Sequence, residues 1–122
     1  DTDFTAKLVD LHPPSADYPE GLAINITDSI IRARYRNGYE AGELMTPGEQ
    51  YELLFQLYPT STVFRRGHAI RVDVSSSNWP RFDVNPNTGG PLGKHQGYRL
   101  AHQTVYHEPD CPSHIVLPVQ RP

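Results

Sequence analysis

The chain has 122 residues, a formal net charge of −3 and a hydrophobic content of 37%, which suits one domain with a single core. Eleven Lys and Arg lie scattered among fourteen Asp and Glu, so no basic face recommends a nucleic-acid partner. No apolar run approaches the roughly 20 residues of a membrane-spanning helix, and twelve Pro with nine Gly favour short strands over long helices.

Taken in chain order, apolar alternation with period two recurs along the sequence. Phe4, Ala6 and Leu8 alternate with Thr5, Lys7 and Val9, and His12-Pro13-Pro14-Ser15 ends that strand, because proline cannot donate to a ladder. Leu22, Ile24 and Ile26 predict a second strand, closed by Thr27-Asp28-Ser29. A third follows in which Ile31, Ala33 and Tyr35 point inward while Arg32, Arg34 and Arg36 form a cationic outer face. Tyr51, Leu53, Phe55 and Leu57 repeat strictly, as do Ile70, Val72 and Val74 after the Arg66-Gly67 turn. Two last strands are expected over 98–106 and 114–119. Short strands with irregular connections predict an all-β sandwich, its two sheets about 10 Å apart.

Nucleophilic catalysis finds no support in this pattern. Ser75, Ser76 and Ser77 lie at a strand end, outside any Gly-x-Ser-x-Gly elbow and with no helix to follow. His95, His102, His107 and His114 are spaced by seven, five and seven; neighbours on regular strands then face opposite ways, so these four do not predict a metal site. No catalytic residue, metal or cofactor is expected. The lone Cys111 excludes an internal disulfide, and a cytoplasmic location is the expectation. No charged-then-apolar leader is visible.

Two features carry the functional expectation. The row Arg32, Arg34 and Arg36 reads either as a solvated face paired with acids on a neighbouring strand or as a surface that docks another domain through planar guanidinium forks. Residues 75–90, Ser-Ser-Ser-Asn-Trp-Pro-Arg-Phe-Asp-Val-Asn-Pro-Asn-Thr-Gly-Gly, form a long connection of the kind that is often functional. Asn78, Asn85 and Asn87 are suited to tie it to its own backbone. Asn78, Trp79, Arg81, Phe82, Asp83 and Asn87 are its candidates for a substrate pocket or a domain contact. Stacking of Trp79 on a pyranose ring, with help from Arg81 and Tyr98, makes an independent carbohydrate-binding module the alternative.

The same stretch resembles a signature of the C-terminal domain of the CocE/NonD family of serine hydrolases, which includes cocaine esterases, α-amino acid ester hydrolases and the related X-Pro dipeptidyl-peptidases. Further marks agree along the chain: Asp1-Thr-Asp-Phe-Thr-Ala-Lys-Leu-Val-Asp10, Ile31-Arg-Ala-Arg-Tyr-Arg36, Pro59-Thr-Ser-Thr-Val-Phe64, Gly67-His68 and His102-Gln-Thr-Val-Tyr-His107. The resemblance implies a galactose-binding-like jelly-roll sandwich over residues 1–122. It also implies a preceding α/β-hydrolase domain of the same protein, which carries the whole Ser-His-Asp triad and cleaves an ester, an amide or an X-Pro peptide bond. The jelly roll would pack on that domain and help to wall its acyl pocket. In the family further strands precede Asp1-Thr-Asp-Phe4, so a partial domain with an open sheet edge is expected, and with it pairing to a second copy through that edge.

Overall fold

The computed structural model describes residues 1–94 and 96–120. Its ladders are all antiparallel, and one short 3-10 turn, Ala33–Tyr35, is the sole helical element among the described residues. The expected all-β class holds. Among the described residues no helix is long and apolar enough to cross a membrane.

Three strands form the main sheet: β1 (Asp3–His12), β2 (Leu22–Arg32) and β3 (Ala69–Ser75), in the order β2-β1-β3. β1 takes the centre, hydrogen-bonded on both sides. Thr5 and Val9 are buried on one face and Leu8 on the other. Thr5 stands between Ile30 and Ser75, and Leu8 between Thr27 and Val72. A register shift between Leu8 and Val9 leaves Ile26 without a β1 partner, the mark of a bulge. A second ladder joins β4 (His107–Glu108) to β5 (Cys111–Pro112) across the Pro109-Asp110 turn.

Several expected elements take a different form. The second and third predicted strands are one continuous strand, because Thr27-Asp28-Ser29 does not turn. Those residues sit buried in register with Leu8, Lys7 and Ala6, with Thr27 and Asp28 bonded to neighbouring segments. Thr27 Oγ1 donates to the Tyr58 carbonyl at 2.7 Å. At the other end the strand stops at Arg32, where Ala33 donates its N–H to the Thr2 carbonyl at 3.0 Å and the backbone tightens into the 3-10 turn. Arg34 and Arg36 therefore do not continue a strand face.

Residues 51–57 show the predicted alternation in burial, Tyr51, Leu53, Phe55 and Leu57 being more covered than Glu52, Leu54 and Gln56, yet they join no ladder. Tyr58 meets the edge of β2, its N–H donating to the Asp28 carbonyl at 3.4 Å. The segments 98–106 and 114–119 likewise form no strand.

The interior is mostly polar. Among the described residues Leu8, Val9 and Ala33 are the buried hydrophobics, against Thr2, Asp3, Thr5, Asp10, Thr27, Asp28, Ser29 and Asn85. Burial on that scale demands partners; those of Asp3 and Asp28 come in part from the long loop, while Thr27 and Asp10 find theirs at Tyr58 and at His12 and His68.

Candidate functional site

The loop 75–90 is pinned to the sheet at two places, each an acid on a strand or just before one. The first pin is Asp28 of β2. Asn78 Nδ2 donates to its Oδ2 at 3.0 Å, Arg81 Nε donates to its Oδ1 at 2.7 Å, and Asn25 Nδ2 adds a third bond at 3.3 Å. The Arg81 guanidinium also lies over the rings of Tyr58 and Phe82, at 5.5 and 5.6 Å, a cation–π arrangement that limits its rotation.

The second pin is the pair Asp3 and Asp1, gripped by Asn85, which is 4% exposed. Its Nδ2 donates to Asp3 Oδ1 at 2.7 Å and to Asp1 Oδ2 at 3.1 Å, and its Oδ1 accepts the Asn87 N–H at 2.9 Å. That last bond is the local tie for which asparagine is suited. It holds Asn87 at φ 60°, and Asn87 Nδ2 then donates to the Arg99 carbonyl at 3.0 Å. Gly89, at φ 75°, closes the loop in a backbone conformation that favours glycine, and an added Cβ would stand 3.0 Å from Leu44 Cδ1, which would have to shift.

The arginine row serves the same assembly. Arg32 makes a fork with Asp3, Nε to Oδ1 and Nη2 to Oδ2, both at 3.0 Å. The hydrogen bond to Asp3 raises the Arg32 pKa above its ordinary value, and burial opposes that rise. Arg34 donates to Asp1 Oδ2 at 2.7 Å and to the Gly90 carbonyl at 3.1 Å. Arg36 turns to the carbonyls of Ala33 and Glu43, at 3.0 and 2.6 Å, and covers the Tyr51 ring at 4.7 Å. The three forks thus have separate partners inside the chain, two of them in the network that also holds Asn85. Asp1 Oδ1 is buried without a hydrogen-bond partner among the described residues.

Between the pins, Trp79 is 70% exposed and its bond to Pro80 is cis. It lines a cleft of about 620 Å³ together with Arg32, Arg34, Asp83, Leu92 and Tyr98. Phe82 and Asp83 also border a smaller hollow of about 290 Å³ beside Tyr35 and Tyr39. The candidates from the loop therefore divide: Asn78, Arg81 and Asn87 hold it in place, while Trp79, Phe82 and Asp83 present surface.

The sequence reading missed Asp1, Asp3 and Asp28 as the acids that receive these bonds. Their signal was weak, since each stands more than twenty residues from its arginine and fifty or more from its loop partner. Among the described residues no serine hydroxyl is hydrogen-bonded to a histidine, and Ser75 Oγ accepts only the Ser77 N–H, at 3.4 Å. Of the four-histidine series, His95 lies outside the described residues, and His114 Nδ1 lies 2.8 Å from the Pro112 carbonyl.

The chain belongs to the family of X-Pro dipeptidyl-peptidase C-terminal non-catalytic domains, which it matches over residues 1–116. It is 46% identical over 121 residues to the cocaine esterase of Rhodococcus sp. (strain MB1 Bresler), a match that covers 98% of this chain and 20% of that protein. The chain thus spans about a fifth of the length of this curated relative, and the resemblance to CocE/NonD C-terminal domains stands.

Proposed function

We propose that this chain is the C-terminal β-sandwich, of jelly-roll type, of a larger serine hydrolase acting on esters, amides or X-Pro peptides. On this reading it packs against the α/β-hydrolase domain of the same polypeptide and contributes one wall of the acyl pocket. Membership of a non-catalytic family supports the division of labour, and a relative five times longer supports a multidomain parent.

The observation that carries the packing is the apolar row on β3. Val72 pairs with the buried Leu8, flanked by Val74 opposite Ala6 and Ile70 opposite Asp10, so all six share one face. Ile70, Val72 and Val74 are nevertheless 52%, 39% and 50% exposed. Apolar rows left open beside a core are typical of surfaces that meet another body. Side-chain footprinting of the 122-residue chain against the same segment joined to an α/β-hydrolase domain tests this. Protection of Ile70, Val72 and Val74 in the longer protein is expected, and equal labelling in both overturns the packing.

A second reading rests on Trp79 and Tyr98, each 70% exposed on the same cleft. Such a pair suits stacking on a sugar ring. Glycan-array binding that disappears in Trp79→Ala favours a carbohydrate-binding module; no binding leaves the pocket-wall reading alone.

A further inference from the structure

We infer that Asp10, His12 and His68 form a binding site for a divalent transition-metal ion, one that clamps the end of β1 to the start of β3. The inference is independent of the hydrolase reading.

The strand geometry brings the three together. Asp10 and His12 are two apart on β1 and so share a face. Leu11 pairs with Ala69, which sets His68 opposite His12 in the continued register. The Arg66-Gly67 turn, closed by the His68 N–H on the Arg65 carbonyl at 3.0 Å, delivers that histidine. His68 Nδ1 lies 2.9 Å from Asp10 Oδ1, and His12 Nε2 lies 3.3 Å from Asp10 Oδ2. The two rings stand 4.1 Å apart between centroids, and one ligand atom from each residue falls within 4.8 Å of the other two. A tetrahedral ion with bonds of about 2.0–2.2 Å spaces its ligands roughly 3.3 Å apart, so the set needs only a small adjustment to close around one.

Charge gives the second reason. Among the acids that anchor this structure, Asp1 has Arg34, Asp3 has Arg32 and Asp28 has Arg81. Asp10, only 5% exposed, has no arginine or lysine among the described residues, and its partners are two imidazoles that carry charge only when protonated. A buried carboxylate is stable when paired or when it coordinates a metal. Two neutral imidazoles and one carboxylate form a donor set for Zn²⁺ and its neighbours, with a position left for water. The even-spacing rule that argues against the other histidines is met here by Asp10-x-His12, with a carboxylate in one of the two places.

The test is calorimetric titration of the chelator-treated chain with Zn²⁺ alone, and with Co²⁺ for its visible spectrum. One equivalent of Zn²⁺ is expected to bind saturably, and Co²⁺ to develop the intense bands of a tetrahedral nitrogen–oxygen site. His12→Ala and His68→Ala should each weaken binding about tenfold or more, with His107→Ala unchanged and circular dichroism confirming the fold of each variant. Should Asp10→Asn or His68→Ala fail to fold, His12→Ala decides, since its ring is 33% exposed. Absence of saturable binding, or binding that His12→Ala leaves intact, overturns the inference and reduces the cluster to a hydrogen-bonded carboxylate. Loss of binding in His107→Ala overturns it as well, by placing the ion elsewhere.

Discussion

Replacing Asn85 tests whether the loop is held by its buried pins. In Asn85→Ala, Asp3 and Asp1 each lose a hydrogen bond from Nδ2, and the Asn87 N–H loses its acceptor. A hydrogen bond to a charged group contributes about 1.5–3 kcal/mol and a neutral one about 0.5–1.5 kcal/mol. One amide nitrogen shared between two carboxylates earns less than two full bonds, and Arg32 and Arg34 still face the acids. The expected loss is therefore about 3 kcal/mol, a large part of the roughly 5–15 kcal/mol that holds a domain together. With a urea m-value of about 2 kcal/mol/M, the midpoint should fall by roughly 1.5 M. Asn85→Asp keeps the shape but replaces the donor with a third negative charge, so it should cost more than alanine at neutral pH. A contact model based on shape alone predicts the opposite order. An alanine variant within about 0.5 kcal/mol of the parent, or an aspartate variant as stable as the parent, refutes the pinning argument.

The Arg32 fork should not tolerate lysine: Arg32→Lys retains charge but loses bidentate geometry, and urea unfolding should show a loss of about 1–2 kcal/mol. Because the Arg32 pKa is raised in the fold by its bond to Asp3, its contribution is fully present below the unfolded value while Asp3 is ionised and is lost only as pH rises through the folded value. The wild-type minus Arg32→Met difference should thus show no loss toward alkaline pH up to about pH 10, checked by unfolding at several pH values. Gly89→Ala meets both a left-handed backbone and Leu44, and thermal unfolding should report a loss of more than about 1 kcal/mol. Trp79→Ala, at a site 70% exposed, should leave stability within about 0.5 kcal/mol, while in a parent hydrolase it should raise KM for ester substrates. The isolated chain should not turn over p-nitrophenyl acetate above a variant with Ser75, Ser76 and Ser77 replaced by alanine.

β1 and β3 were legible because period-two apolar runs and β-branched residues state a strand directly. The same signal over 51–57 predicted which side chains are covered but not whether the backbone would find a ladder, since pairing depends on what lies alongside. Thr27-Asp28-Ser29 misled for a physical reason. Residues that make good turns also exchange hydrogen bonds with distant segments, as Thr27 does with Tyr58 and Asp28 with Asn78 and Arg81, and composition does not separate a turn from a buried polar anchor. The arginine row misled similarly, for alternation says nothing of where hydrogen bonding stops, and here it stops at Arg32. The loop itself was legible from its length and its asparagines. Its acceptors were not, because Asp3 and Asn85 are 82 residues apart.

The polar interior and the apolar surface belong to one argument. Buried ion pairs recover little more than the cost of desolvating them, and losing one partner is what destabilises. The Asp3–Arg32 and Asp1–Arg34 pairs therefore contribute geometry more than net stability: with the more exposed Asp28–Arg81 pair they set where residues 75–90 lie. Stability has to come from apolar burial, and Leu8, Val9 and Ala33 supply little of it alone. Covering Ile70, Val72 and Val74, each about half exposed, adds roughly 1 kcal/mol apiece from the 1.5–3 kcal/mol of full burial. On the proposed reading that contribution arrives with the hydrolase domain. The loop is then already shaped before the domains meet, and docking through β3 stabilises the sheet without reorganising the surface around Trp79.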